Sequence, residues 1–264
     1  MLYFTAYKSN PMKRHYVLLV ALMALSACDV AKTRVFDAFV TSYMEVGQLT
    51  VEPTESGNIA LLGKSGNGYC SWNSEGKALQ TYDSLCAVHQ DAGYNTTLEY
   101  ALLAPSPTYF YGDVVSIIVV SNADFNETHL ANDTLNDLVR VLSFSPYQHI
   151  LSGYTALFNW QNNYPVTFYA DSLFFPYKLP ITLLQGYMDG GHPTEMHPID
   201  KRLSETTPAD YGLMQLFKHY KERWLMAVLC FEEQPTLSKQ HTFTLTITLS
   251  DGRVFSPTVS LVFE

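Results

Sequence analysis

The sequence predicts a mainly β protein, with antiparallel sheets in a sandwich-like arrangement and two short helices. Three observations support this prediction. Apolar runs of strand length recur along the chain, one segment near the end alternates strictly between threonine and apolar residues, and only two segments carry helix-start signals. The chain has 264 residues, of which 47% are hydrophobic, so it is long enough to bury a sizeable core.

The apolar runs predict the buried strands. Residues 114–120 read Val-Val-Ser-Ile-Ile-Val-Val, which is apolar on both faces and therefore predicts a central strand. Three further runs, at 166–170, 179–184 and 224–231, predict strands of the same kind. Between residues 57 and 77, by contrast, glycine and asparagine recur, and this segment predicts an exposed loop.

The clearest strand lies at 242–249, where every even position is threonine and every odd position is apolar. A period of two places one face of a strand on a core and the other face in water. An Asp-Gly turn at 251–252 and the returning segment 254–263 complete a hairpin. Because Pro257 cannot donate a backbone hydrogen bond, the returning strand is predicted to be an edge strand or to carry a bulge there.

Two segments predict the helices. Thr134 and Asp137 have the spacing of a capping box. The second helix is predicted to begin at Thr207, where Pro208 and Asp210 precede apolar residues at helical spacing. Together with the strands, these elements favour an Ig-like antiparallel sandwich.

The N-terminus predicts an export signal with a lipid attachment site. Lys13 and Arg14 precede an apolar run of ten residues that ends in Leu-Ser-Ala-Cys at 25–28. This run is too short to span a bilayer, which needs roughly 20 apolar residues. Small residues directly before a cysteine are typical of a bacterial lipoprotein signal, in which the cysteine is acylated and becomes the new N-terminus. We therefore expect residues 1–27 to be removed and Cys28 to carry the lipid.

The rest of the chain is expected to comprise a leader and a globular region. Residues 28–47 form the membrane-proximal leader, and residues 48–264 form the β-rich region, either as one domain or as two β units with a boundary near 105–112. The expected location is the bacterial cell envelope, on the periplasmic face or at the cell surface.

Three cysteines remain after lipidation. Because an exported chain meets oxidising conditions, we expect one disulfide and one thiol among them. Cys70 and Cys86 lie close together in a polar stretch and are predicted to form the disulfide. Cys230 lies inside an apolar run and is predicted to be a small buried thiol.

Charge and motifs narrow the functional classes. The formal net charge of -9 repels phosphate backbones, so we expect no nucleic-acid partner, and the lipid on Cys28 is the expected link to the membrane. The sequence contains neither a Gly-x-Ser-x-Gly nor a His-Glu-x-x-His motif, and it carries no cofactor signature. We therefore expect a non-catalytic binding or structural role without a cofactor.

The densest chemical segment offers a metal site as an alternative. Asp189, His192, Glu195 and His197 are residue types that ligate zinc and other divalent metals. Two glycines and two prolines in the same segment favour a solvated loop instead, so a metal-dependent hydrolase is the less favoured interpretation. A second, oxygen-rich set favours turn and cap chemistry over calcium binding; it comprises Asp124, Asn126, Glu127, Asp133 and Asp137.

Aromatic residues are dense through the middle of the chain. Most of them suit a β core, but Trp72 and Trp160 are flanked by asparagine and are predicted to be exposed. An exposed tryptophan suits the binding of a glycan or of another envelope protein.

Residues 117–129 and 134–137 carry a resemblance. Their sequence, Ile-Ile-Val-Val-Ser-Asn-Ala-Asp-Phe-Asn-Glu-Thr-His and then Thr-Leu-Asn-Asp, resembles a family of uncharacterised Bacteroides-type lipoproteins. The signal that ends in cysteine and the C-terminal β-hairpin are also typical of that family. The resemblance implies a lipid-anchored envelope protein and, because the family has no assigned activity, implies no site residue. Two alternatives are a carbohydrate-capturing accessory lipoprotein of an outer-membrane import system and a fimbria-like subunit that polymerises by strand addition.

Overall fold

The computed structural model describes residues 36–54, 57–94, 108–157, 195–218 and 222–264, which form two β-sheets and two α-helices. The helices are α1 (Gly76–His89) and α2 (Tyr147–Leu151). The strands, in chain order, are β1 (Ser42–Pro53), β2 (Ile59–Ser71), β3 (Thr108–Tyr111), β4 (Val114–Ser121), β5 (Val139–Ser145), β6 (His197–Arg202), β7 (Phe217–Lys218), β8 (Arg223–Phe231), β9 (Gln240–Leu249), β10 (Val254–Phe255) and β11 (Thr258–Val262).

The two sheets draw their strands from different parts of the chain. The first has seven strands in the order β3-β1-β2-β8-β5-β6, with β7 beside β8. In the second, β9 pairs with β4 along one edge and with β10 and β11 along the other. The described pairings are antiparallel except for β1 with β3. Strands from both sides of residues 105–112 pair in the first sheet.

The two sheets bury a shared apolar core. Leu61, Val141 and Leu229 from the first sheet are fully buried in one cluster with Ile117 and Leu245 from the second. Alternation along each strand puts these side chains on the inner faces, which is how two sheets pack face to face. The predicted mainly β, antiparallel, sandwich-like fold with two helices is therefore confirmed.

The segment predicted as an exposed loop at 57–77 is instead largely strand β2, so that prediction was wrong. The glycines inside β2 lie where the chain passes close to other groups. A Cβ atom at Gly63 would overlap the ring of Phe110, and one at Gly68 would overlap the hydroxyl of Tyr111. A glycine inside a strand often marks such a close approach, which composition alone does not distinguish from a loop.

Strand β4 was predicted to be central, but β9 is the one described strand that it pairs with, so it is an edge strand. Ile118 on its outer face is 42% exposed. The other edge of β4 is covered by the segment 132–136. Leu135 donates its N–H to the carbonyl of Val119 at 2.8 Å. The side chain of Asn136 accepts from the N–H of Val119 and donates to the carbonyl of Ile117, both at 2.9 Å.

The C-terminal hairpin is confirmed. The odd positions of β9 are buried, from Phe243 to Leu249, while its threonines are partly exposed. The returning chain breaks into β10 and β11, and Pro257 lies in the break. There the Pro257 carbonyl accepts from the N–H of Leu245 at 3.0 Å, so the proline keeps the one backbone bond that it is able to make. The strand predicted at 224–231 is confirmed as β8, and those predicted at 166–170 and 179–184 lie outside the described residues.

The described part of the chain contains two α-helices, but neither lies where a helix was predicted. Residues 134–138 form turns and a single bridge instead of a helix. Thr207 and Asp210 do form a reciprocal capping box, but it begins a four-residue 3-10 helix, Pro208–Tyr211, and the chain then returns to a strand. Among the described residues, no helix combines the length and apolar character that a membrane crossing requires.

Candidate functional site

Among the described residues, those singled out by the sequence lie in several parts of the fold. Cys28, Trp160, Asp189 and His192 lie outside the described residues. The described members are Cys70 at the end of β2, Trp72 just after it, Cys86 on α1, and Glu195 and His197 around the start of β6.

The predicted disulfide is absent from the structure, in which Cys70 and Cys86 are free, buried thiols. Cys70 is the cross-strand partner of Tyr43, and Cys86 is buried in one cluster with Tyr43 and Tyr82. Burial raises the pKa of the Cys86 thiol to about 12. Disulfide formation proceeds through the thiolate, so burial keeps this sulfur in its unreactive form. The prediction that Cys230 is a buried thiol is confirmed.

Trp72 is only half-buried, and its ring is not a free platform. It packs edge-on against Phe36, with 5.3 Å between the ring centroids, and borders an apolar cluster of β1, β2 and α1. Its backbone N–H donates to the carbonyl of Thr41. A more exposed aromatic residue lies three positions earlier: Tyr69 on β2 is 59% exposed.

Of the predicted metal set, His197 has the clearest environment. Its Nε2 lies 3.3 Å from the carbonyl oxygen of Ala156, and the Nδ1 of His149 lies 2.8 Å from the same oxygen. Burial, together with the neighbouring His149, lowers the pKa of His197. Within the described ranges, no three His, Cys, Asp or Glu side chains are arranged to hold a metal ion.

The oxygen-rich set near residue 130 is engaged in turn chemistry. Asn126 accepts backbone N–H bonds from Thr128 and His129, and Asp133 accepts one from Leu130. Asp124 accepts the N–H of Ala131 at 2.8 Å. Short Asp and Asn side chains bond nearby backbone in this way in turns, as the sequence predicts.

The most developed polar arrangement joins Tyr43, His89 and Asp113, here called the Tyr43 network. The hydroxyl of Tyr43 lies 3.2 Å from Nδ1 of His89, and the Nε2 of His89 lies 2.7 Å from Oδ2 of Asp113. Asp113 also accepts the backbone N–H of Leu213 at 3.2 Å. Because a carboxylate only accepts, Nε2 carries the proton, and in the neutral imidazole Nδ1 accepts from the Tyr43 hydroxyl. The network thus ties β1 to α1 and to two loops.

Beside it, Asp91 anchors the start of the described chain. Its carboxylate accepts the backbone N–H groups of Phe39 at 2.7 Å and Val40 at 2.8 Å, and the hydroxyl of Tyr154 at 2.8 Å. Asp91 is 1% exposed. Burial raises its pKa, and the three hydrogen bonds oppose that rise. A buried carboxylate with this many donors replaces most of its lost hydration with fixed protein groups.

The chemical capacity of the Tyr43 network is limited by burial. A histidine between a carboxylate and a hydroxyl matches the composition of a nucleophile-activating triad. However, Tyr43 is fully buried and His89 is 3% exposed, so a substrate atom has no approach to either. Burial also raises the pKa of Tyr43, which keeps its hydroxyl protonated. The Tyr43 network therefore stabilises the fold by connecting β1, α1 and two loops.

Sequence reasoning missed this network because its members are far apart along the chain. A local signal for one part of it existed. Between residues 76 and 89, apolar or buried positions recur at helical spacing, and His89 lies on the same face as Tyr82 and Cys86. A helix at 76–89 is an alternative to the loop that a disulfide between Cys70 and Cys86 would close, and the structure has the helix.

Comparison of the chain with family models, with curated proteins and with solved structures found no match. The resemblance to Bacteroides-type lipoproteins therefore stays a prediction from the sequence.

Proposed function

We propose that this protein is a lipid-anchored cell-envelope protein with a non-catalytic binding or structural role. The anchor rests on the apolar signal that ends in Leu-Ser-Ala-Cys at 25–28. The absence of a catalytic role is supported by one observation above all: the buried His89 engages both imidazole nitrogens, one with Tyr43 and one with Asp113.

This observation matters because a general base must reach the proton that it abstracts. A catalytic histidine lies within hydrogen-bond distance of a substrate or of an exposed nucleophile. His89 instead faces the interior, and a second histidine–carboxylate pair, His129 with Asp137, connects two parts of an exposed turn. Both pairs therefore serve the fold.

The anchor is tested by changing its cysteine. Cys28→Ser should move the protein from the membrane fraction to the soluble export fraction, and mass spectrometry should find no acyl chains. Because several acyl chains hold a protein stably on a bilayer, the loss should be large. Cys70→Ser removes a different cysteine and should leave the protein in the membrane fraction. Unchanged membrane association of Cys28→Ser would reject the anchor.

The carbohydrate-capturing alternative is favoured by a single observation, the exposure of Tyr69. Tyrosine rings stack on sugars, and this ring lies near the end of β2 that also carries Trp72. Under this alternative, Tyr69→Ala should abolish retention on a polysaccharide column and leave the melting temperature unchanged. Trp72→Ala should lower the melting temperature because it removes the contact with Phe36.

The fimbria-like alternative requires a free strand edge. One candidate edge, that of β4, is bonded by Leu135 and Asn136. A donor strand would have to displace that segment first, which makes this edge a poor acceptor.

A further inference from the structure

We infer that the protein presents a fixed end to the membrane: the end of the sandwich where β1 begins faces the bilayer, and the end where β1 finishes points away from it. This inference rests on the proposed lipid at Cys28. Here the proximal end denotes the surface around Phe36, Ser42 and Trp72, and the distal end denotes the surface around Pro53 and Phe125.

The first step is that the chain becomes fixed to the globular region as early as Phe36. Phe36 is 6% exposed and packs on Trp72. The next residue, Asp37, accepts the N–H of Tyr94 on its carbonyl and the N–H of Gly93 on its carboxylate, at 2.8 and 3.1 Å. Five hydrogen bonds or ring contacts thus hold the chain within a few residues of Phe36, once those of Asp91 to Phe39 and Val40 are included.

The second step is the reach of the connecting chain. A fully extended chain spans at most about 3.6 Å per residue, so the eight residue steps from Cys28 to Phe36 cover at most about 29 Å. Whatever path those residues take, the proximal end cannot move further than this from the lipid attachment. The sandwich is therefore held close to the bilayer by one end.

The third step places the other end. The eleven residue steps of β1 from Ser42 to Pro53, at about 3.3 Å each, separate its ends by roughly 36 Å. Pro53 pairs with Ile59 at the β1–β2 turn. In that turn, the Asn58 side chain accepts the N–H of Phe231, whose ring stacks on Phe125 at 5.8 Å.

The loops that surround Phe125 therefore belong to the distal end. Its carbonyl accepts the N–H of Thr236, which brings the segment 232–238 to the segment 122–134. These two segments, here called the distal loops, include the exposed Glu127. A partner in the aqueous phase meets the distal loops first, whereas Trp72 and Tyr94, whose ring types favour the headgroup layer, lie at the proximal end.

The test measures the distance of each end from the bilayer by energy transfer. Lipidated, full-length protein is reconstituted in phosphatidylcholine vesicles that carry an acceptor dye on a fraction of the headgroups. A donor dye is attached to Glu75→Cys, three residues after Trp72, or to Glu127→Cys in the distal loops. Both positions are exposed glutamates, so the two variants form a matched pair. Protein without an added cysteine, treated with the same dye, measures labelling of the buried thiols.

We expect several-fold greater transfer from position 75 than from position 127. A Gly-Ser insertion after Asp29 that doubles the reach should lower the transfer from position 75. Equal transfer from the two positions, or greater transfer from 127, in protein that is lipidated and membrane-bound would overturn the orientation alone. Protein that carries no acyl chains and does not float with the vesicles would overturn the anchor itself, and the orientation with it.

Discussion

Removal of the Asp91 carboxylate should destabilise this fold strongly, because three hydrogen-bond donors depend on it. In Asp91→Ala, the backbone N–H groups of Phe39 and Val40 lose their acceptor, and so does the hydroxyl of Tyr154. Phe39 and Val40 are both fully buried, so water does not replace the carboxylate easily. The change tests whether the start of β1 depends on this one side chain.

The magnitude follows from the groups left unpaired. An unsatisfied buried donor costs about 1–3 kcal/mol, so two N–H groups and one partly buried hydroxyl give a gross loss of about 3–9 kcal/mol, with the hydroxyl at the low end because water reaches it more easily. Because burial raises the pKa of Asp91, its carboxylate already carries a desolvation cost that the substitution removes. We expect a net loss of about 3 kcal/mol, which for a domain of this size lowers the melting temperature by about 10 °C.

Urea unfolding at constant pH measures this loss, with Tyr154→Phe as the matched control. That control removes one of the three donors and leaves both backbone bonds, so it should cost about 1 kcal/mol. Amide hydrogen exchange should show faster exchange at Phe39 and Val40 in Asp91→Ala but not in the control. A loss for Asp91→Ala no larger than that of Tyr154→Phe would refute the reasoning.

Three further predictions concern other parts of the structure. Asn136→Ala removes two hydrogen bonds to the edge of β4, so it should lower the free energy of unfolding by about 1–3 kcal/mol and increase aggregation. Urea unfolding and light scattering measure the two effects, and unchanged values in both would contradict this assignment. Burial lowers the pKa of His197, so the unfolded chain binds a proton at this histidine more readily than the folded protein does. The free energy of unfolding therefore decreases as the pH falls below the ordinary imidazole pKa. His197→Gln should therefore flatten the decline in stability between about pH 7 and pH 5, and an unaltered decline would exclude His197 as its source. Peptide mapping of unreduced protein should find Cys70 and Cys86 as thiols, whereas a linked peptide would restore the disulfide predicted from the sequence.

The parts of the fold that follow from neighbouring residues were predictable. The alternation at 242–249 and the break at Pro257 are properties of adjacent residues, and both appear in the structure. Strand β2 was not predictable in the same way. The reason for Gly63 lies at Phe110, which is distant along the chain and becomes a neighbour only once β3 has paired with β1.

The difference between local and distant contacts also explains why the Tyr43 network was not predicted. The Tyr43 network joins residues that lie 46 and 24 positions apart, so no local pattern brings Tyr43, His89 and Asp113 together. At Thr207 the local pattern was correct, but it did not determine the length of the helix. Its local chemistry was predicted and is present, yet the helix stops after four residues because the chain must return to the first sheet as β7.

The order of strands in the first sheet has a consequence for how the chain folds. Strand β2 pairs along one edge with β1, its neighbour in the sequence. Its other edge pairs with β8, which lies far along the chain: Ile59 is the partner of Leu229. A sheet closed by such distant partners folds slowly, because the loop between them must be ordered before the pairing stabilises anything. Synthesis proceeds from the N-terminus at about 5–20 residues per second, so the edge of β2 stays open for many seconds. During that interval the unpaired edge of β2 is exposed to pairing with other chains, so this strand is the part of the growing chain most in need of chaperone protection.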